Sequence, residues 1–448
     1  MVPRAICIGS GALFIWLALS DSPSIGGGIG FGLIEMAVLA AGVVTVLAGL
    51  LPHRFALPFS LLLVTTLATL ALAEIVLSSV LGPRYQTAYA FDQRYLFKLE
   101  PGVSRHYTHL PANGGHTVVY RINSDGFRGE ELKDDGHPRI LVYGDSFIHA
   151  EYTELEDTFP VRLQERLGGA VEVVNAGVAG YGPDQILRRM EDELPRIKPD
   201  LVVVSLFSGN DFGDLLRNRL YRLSDDGALI ENAWRLTPEQ ERQIALNKHE
   251  LVLRKIVGQA ISGLRGGGGG DSFAFDPAQW IKDALTQHQT EYNAFVVEGD
   301  NTVGAFGVDP YSADVAFFPD SASATYKIRM LDAIIAAMRN LAEVNGVPLA
   351  IMVVPHPMDL LGGDHASGFV DPAEYASYDP ARLTDTMEDL AQKNGLPVLN
   401  LFQTFQTGDV NSLFLKGGDD HWNGAGQALA AEAMAGFLTA QGLLKAQP

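Results

Sequence analysis

Ser146 stands in Gly144-Asp145-Ser146-Phe147, directly after the apolar run Arg139-Ile140-Leu141-Val142-Tyr143. A strand that stops at Gly-Asp-Ser sets the hydroxyl at the carboxyl edge of a sheet, where open α/β folds keep their ligand crevices. Three further blocks follow in order. Val174-Asn175-Ala176-Gly177-Val178-Ala179-Gly180-Tyr181-Gly182 follows one apolar run, and Ser208-Gly209-Asn210-Asp211 follows the run Leu201 to Leu206. Asp419-Asp420-His421-Trp422-Asn423 then leads into the alanine-rich stretch Gly426 to Leu438. Each block alone is a common turn sequence. Together they supply what acyl transfer through a tetrahedral intermediate requires: a hydroxyl nucleophile, an imidazole base, and fixed donors for the oxyanion. Losing one such donor costs roughly 2.7 to 4 kcal/mol of transition-state stabilisation.

These four ordered blocks, within roughly residues 120 to 440, resemble the SGNH/GDSL hydrolases. By that resemblance Ser146 is the nucleophile and His421 the general base, and the oxyanion hole is formed by Ser146, Gly180 and Asn210, with Gly177 an alternative glycine. In the common family pattern an aspartate stands three residues before the histidine. Here position 418 is glycine, and Asp419 and Asp420 precede His421 by two residues and one. Asp419 is the expected orienting acid and Asp420 the alternative. The Asp-x-His-Trp variant is similar to that of membrane-linked members such as the alginate-type O-acetyltransferases.

Positioning these groups requires an alternation of strands and helices, which implies a parallel sheet. Strands are expected at 139–143, 171–174, 201–206, 348–354 and 397–400, and helices near 157–168, 183–196, 323–345, 381–394 and 425–440. The resemblance implies a three-layer flavodoxin-like SGNH sandwich, α/β in class, preceded by N-terminal transmembrane helices. The expected domains are 1–82 (membrane anchor with about three helices), 83–135 (juxtamembrane segment) and 136–448 (catalytic domain), the last with an insertion at about 212–320. That insertion holds a polar helical run, Thr237 to Leu264, then five consecutive glycines, Gly266 to Gly270, which read as a flexible linker. Beside the Asn210 strand it reads as a lid or a surface excursion. The segment Asn123 to Gly129 reads as a packed turn, and His356 as a residue lining the crevice.

Apolar stretches at Ala5–Ser20, Gly26–Leu51 and Phe55–Leu81 precede all of this, and the last two reach the roughly 20 residues a membrane helix needs. The first is either a span or a cleaved signal segment. Both readings put the body outside, and Arg4, His53 and Arg54 fit the positive-inside bias. The expected location is the cell inner membrane, multi-pass, with the catalytic domain periplasmic or extracellular. Glu35 and Glu74 fall inside apolar segments, where they are expected to snorkel or to pack between helices.

The formal net charge is -20, and the first 84 residues carry three basic and three acidic groups, so the whole excess lies in residues 85–448. Such a body argues against nucleic acid or a tightly held polyanion. The single cysteine, Cys7, excludes disulfide or thiol chemistry in the catalytic part, and no histidine spacing suggests a metal, so no cofactor is expected. The leading expectation is a serine esterase or O-acyltransferase acting on acyl esters of a cell-envelope glycan, with the lipid bilayer and a membrane acyl-transfer protein as partners. The alternatives are a lysophospholipase or lipid esterase, and a catalytically silent subunit of a membrane complex.

Overall fold

The computed structural model describes residues 1–20, 33–85, 88–109, 113–134, 136–169, 171–248, 252–253, 256, 277–304, 310–360, 374–407, 409–416 and 420–443. The chain divides into two compact units, Met1–Thr87 with Leu236–Asp271, and Ala88–Arg235 with Ser272–Pro448.

The first unit is helical: α1 (Val2–Leu19), α2 (Leu33–Leu50) and α3 (His53–Tyr85). Two helices, Val2–Leu19 and His53–Val80, are long and apolar enough to cross a membrane, and Met36–Leu50 is a shorter apolar stretch. Only 17% and 6% of the two long windows are buried, unlike the core helix of a soluble protein. Leu13, Trp16, Phe55, Leu62 and Ile75 point outward. Where α1 and α2 meet, the side chains are small. A Cβ on Gly11 would lie 2.6 Å from the Gly42 carbonyl oxygen, and one on Gly49 would lie 2.7 Å from Ile8. Such residues let helices touch when apolar burial offers no drive. Arg4 donates to the carbonyls of Gly49 and Leu50 at 3.0 and 3.2 Å, satisfying the C-terminal end of α2. Glu74 finds its partners on a second helical stretch of the same unit. Its carboxylate accepts the backbone N–H groups of Val252 and Leu253, each at 2.9 Å, and the Ser78 hydroxyl at 2.8 Å. Residues 236–271 thus group with the helical unit, and the pentaglycine lies outside the described residues, as does the side chain of Glu35.

The second unit begins with two antiparallel hairpins, β1 (Tyr89–Asp92) with β2 (Leu96–Leu99) and β3 (Ser104–Thr108) with β4 (Thr117–Arg121). The central sheet follows, built from β5 (Arg139–Gly144), β6 (Glu172–Gly177), β7 (Leu201–Phe207), β10 (Leu349–Val354) and β11 (Val398–Asn400). A small hairpin of β8 (Tyr221–Leu223) and β9 (Leu229–Glu231) lies outside it. The sheet order is β11-β10-β7-β5-β6, with every pairing parallel. All residues of β7 and β10 are buried, as expected of strands covered on both faces by helices. That is the expected α/β sandwich. The chain passes from β5 to β6 on one side and returns to β7 on the other, so the switch point lies between β5 and β7. The serine turn and the Asn210 turn follow those two strands.

Candidate active site

Ser146 opens the one-turn helix α4 (Ser146–His149), and Asp145 caps it by accepting the Phe147 N–H at 3.0 Å. This turn folds back across the strand ends so closely that two glycines are obligatory. A Cβ on Gly144 would stand 2.4 Å from Ile148 Cγ1, and one on Gly177 would stand 2.3 Å from the His149 nitrogen. Asn175 locks the crossing: its amide donates to the Ile148 carbonyl at 2.7 Å, and its oxygen accepts the Gly177 N–H at 3.0 Å. On the other side, the guanidinium of Arg128 donates to the carbonyls of His149, Ala150 and Thr153. Burial lowers its pKa to about 10, so it remains charged at neutral pH. Asn123 shapes the turn that presents Arg128 by accepting the Asp125 and Phe127 N–H groups.

The histidine arrives on a short bridge. Phe414 pairs with Trp422, the Leu415 N–H donates to the His421 carbonyl at 2.9 Å, and Asn423 caps the helix Gly424–Ala440. From that helix Gln427 accepts the Phe159 N–H and donates to the Phe147 carbonyl, tying the last helix to the serine turn. The imidazole is flanked by Phe147, stacked at 5.3 Å, and by Tyr152 at 4.8 Å. His421 Nε2 lies 2.7 Å from Ser146 Oγ. With the ring proton on Nδ1, the serine hydroxyl donates to Nε2, the arrangement in which an imidazole can take a serine proton.

Asp419 lies outside the described residues. The Asp420 carboxylate sits between two imidazoles, 3.3 Å from His421 Nδ1 and 3.7 Å from His356 Nε2. His356 Nδ1 accepts the Met358 N–H at 3.1 Å, so the neutral ring carries its proton on Nε2, toward Asp420. Burial pulls the His356 pKa down to about 4, against the Asp420 charge, and keeps the ring neutral.

The residues expected to donate to the oxyanion differ in what already holds them. Asn210 is the N-cap of the helix Asp211–Asn218, yet its side chain makes no capping bond and its Oδ1 is buried without a partner. Gly180 takes a left-handed conformation, φ +81°, with the Phe97 ring 3.5 Å from where a Cβ would be. Among the described residues nothing accepts the N–H of Gly180 or of Ser146, whereas the Gly177 N–H is already held by Asn175. Among the described residues the Gly180 N–H, unlike that of Gly177, is thus left without an acceptor. Behind the site, burial and the neighbouring Asp145 push the Asp211 carboxyl up, and Asp211 accepts the Phe207 N–H at the end of β7. Arg128 as a clamp escapes a reading of residue types, since a lone arginine in a loop does not advertise three carbonyl partners. No group of His, Cys, Asp and Glu able to hold a metal occurs among the described residues.

The whole strand-end arrangement falls inside a profile match. Residues 142–429 match the GDSL-like lipase/acylhydrolase family, a span that takes in the end of β5, the serine turn, β7 and the histidine bridge. No curated protein matches the chain. Among solved structures, TesA is similar at 16% identity, covering 68% of this chain and 99% of its own, with a TM-score of 0.32. A lipase/acylhydrolase from Enterococcus faecalis is 12% identical over 68% of this chain and 96% of its own, with a TM-score of 0.33. The acetyl xylan esterase AlAXEase is 12% identical over 66% and 97%, with a TM-score of 0.31. With well over half of its length inside that profile, this chain belongs to the GDSL-like lipase/acylhydrolase family.

Proposed function

We propose that the chain is a membrane-anchored serine esterase or O-acyltransferase acting on acyl esters of a cell-envelope glycan outside the cytoplasmic membrane. The observation that carries this reading is the 2.7 Å approach of Ser146 Oγ to His421 Nε2 at the sheet's switch point. Ser146 attacks the ester carbonyl while His421 takes its proton. The N–H groups of Ser146 and Gly180 and the Asn210 amide receive the oxyanion, and His421 returns the proton to the departing alcohol. Asp419 is the proposed orienting acid. Asp420, 3.3 Å from Nδ1, is the alternative. Hydrolase and transferase share these residues and differ in whether water or a sugar hydroxyl reaches the acyl-serine. A transferase would take its acyl group from a membrane partner.

Outward apolar side chains on α1 and α3 support an anchor in the bilayer. Arg4 at the α2 carboxyl end, near His53 and Arg54 in sequence, supports an inner-membrane topology with that end inside. The test is product analysis with an activated acetyl ester, with and without an oligosaccharide acceptor, on the full chain and on Ser146→Ala. Turnover and fluorophosphonate labelling should vanish in the variant, and acetylated oligosaccharide would mark a transferase. Undiminished labelling of Ser146→Ala would sink the assignment. Cytoplasmic activity of a reporter fused after Pro448 would overturn the location.

A further inference from the structure

A cavity of about 440 Å³ opens against the chain segments that flank His421. Its walls come from the β3–β4 turn (His109, Asn113, His116), from the stretch after the serine helix (Tyr152, Glu154, Asp157), and from the chain on both sides of His421 (Phe414 to Lys416, then Asn423). Tyr152, which lines it, also lies against the His421 ring at 4.8 Å.

We propose that this cavity is the alcohol subsite, and that it takes a neutral polyhydroxylated ring such as a single sugar residue. The proposal rests on the serine-esterase reading given above. In that chemistry the departing alkoxide receives its proton from His421 Nε2, and an acceptor hydroxyl gives its proton to the same atom. The alcohol therefore lies on the histidine side of the serine, away from the oxyanion donors. The lining suits a sugar. Glu154 and Asp157 supply acceptors, Lys416 supplies donors, and Tyr152 and the stacked His109–His116 pair, 4.4 Å apart, supply flat faces. Charges of both signs, on Glu154, Asp157 and Lys416, disfavour a strongly charged ligand. The volume falls in the lower part of the roughly 300 to 1,000 Å³ range of small-molecule sites.

The walls are tied in advance. Asn113 donates to the Lys416 carbonyl at 2.9 Å and accepts the Lys416 N–H at 2.7 Å, fixing the β3–β4 turn to the chain leading to His421. His109 Nε2–H donates to the Tyr152 carbonyl at 2.6 Å. Asn423 donates to the carbonyls of Ser412 and Phe414 at 2.8 and 3.0 Å.

The test compares Glu154→Ala, His116→Ala and Lys416→Ala, singly and combined, in the full chain. Two substrates are used, an O-acetylated methyl glycoside and p-nitrophenyl acetate, whose alcohol has no hydroxyls for the subsite. The ratio of kcat/KM for the sugar ester to that for the aryl ester should fall at least tenfold in the combined variant, through KM. An unchanged ratio overturns the subsite. So does wild-type turnover of the aryl ester without any turnover of the sugar ester. Absence of Ser146-dependent turnover on both esters counts against the esterase reading instead. A binding arm then still decides the subsite: methyl glycoside binding to Ser146→Ala protein, read by saturation-transfer NMR, should be present and be lost in the combined variant, and its absence from the Ser146→Ala protein overturns the proposal.

Discussion

The helical unit and the α/β unit both depend on glycines with no room for a side chain, and they use them for opposite ends. In the helical unit Gly11, Gly42 and Gly49 let two backbones meet, while the large apolar side chains face outward. In the α/β unit the large side chains, among them Phe147, Phe159, Phe207 and Trp422, fill the interior, and Gly144 and Gly177 stand where the serine turn crosses the strands. The first pattern suits a solvent as apolar as the side chains. The second suits water outside, where each fully buried Val, Leu, Ile or Phe contributes roughly 1.5 to 3 kcal/mol. A tight glycine contact thus associates helices in one region and aims a hydroxyl in the other.

This contrast places all the chemistry in the α/β unit, so the largest effects should come from there. Asp419→Asn should cost on the order of 10⁴-fold in ester turnover, as loss of a histidine-orienting carboxylate does in serine triads. Asp420→Asn should cost far less, with folding of both checked by thermal melts. A larger loss at Asp420 would shift the role by one position. Asn210→Ala should slow turnover by roughly 10² to 10³-fold while Ser146 still accepts a fluorophosphonate. Full activity in that variant would remove Asn210 from the oxyanion hole.

The glycines give a direct comparison. Gly177→Ala places a methyl against the backbone nitrogen of His149 and should lower stability by about 1 to 3 kcal/mol or more, with turnover falling alongside. Gly42→Ala meets the side chain of Ile15 and the Gly11 carbonyl, and should disturb helix pairing while ester turnover persists. If both variants lose activity equally, the division of labour fails.

An effect on stability alone, outside the chemistry, concerns Asp359, whose carboxyl accepts the Tyr311 and Tyr378 hydroxyls at 2.6 and 2.8 Å and is pushed up to about 7 by burial. Above its ordinary value near 3.8 the folded state holds a proton that the unfolded state has released. The contribution of this group is therefore fully present below about pH 4 and is lost as pH rises toward 7, by on the order of 1 kcal/mol per pH unit. Melts of Asp359→Asn should show a flatter pH dependence across that window. Parallel curves would refute the shift.

The sheet was legible because its strands are apolar runs that end in turn residues. The run at 201–206 became Leu201–Phe207, and 348–354 became Leu349–Val354. Helices near 183–196 and 323–345 appear as Pro183–Ile197 and Ala322–Val344. The hairpins between residues 89 and 121 escaped notice because they are short and half exposed. Thr117–Arg121 alternates exposed and buried positions over only five residues. At the site, residue type and order announced Ser146 and His421. The Arg128 clamp, the place of Asp420 between two rings, and the grip of Glu74 on Val252, 178 positions away, depend on partners that only the fold brings near.

The hydrogen bond between Ser146 and His421 joins residues 275 positions apart, which has a consequence in time. At the usual elongation rates of roughly 5 to 20 residues per second, the serine is made on the order of 14 to 55 s before its base. Its turn can form early from β5 and β6, but Gln427, which donates to the Phe147 carbonyl of that turn, is made 280 residues after Phe147. During synthesis the hydroxyl is therefore an ordinary alcohol. A nascent chain that has not yet reached His421 holds a serine without its base, and the site is complete only once the helix carrying Gln427 docks.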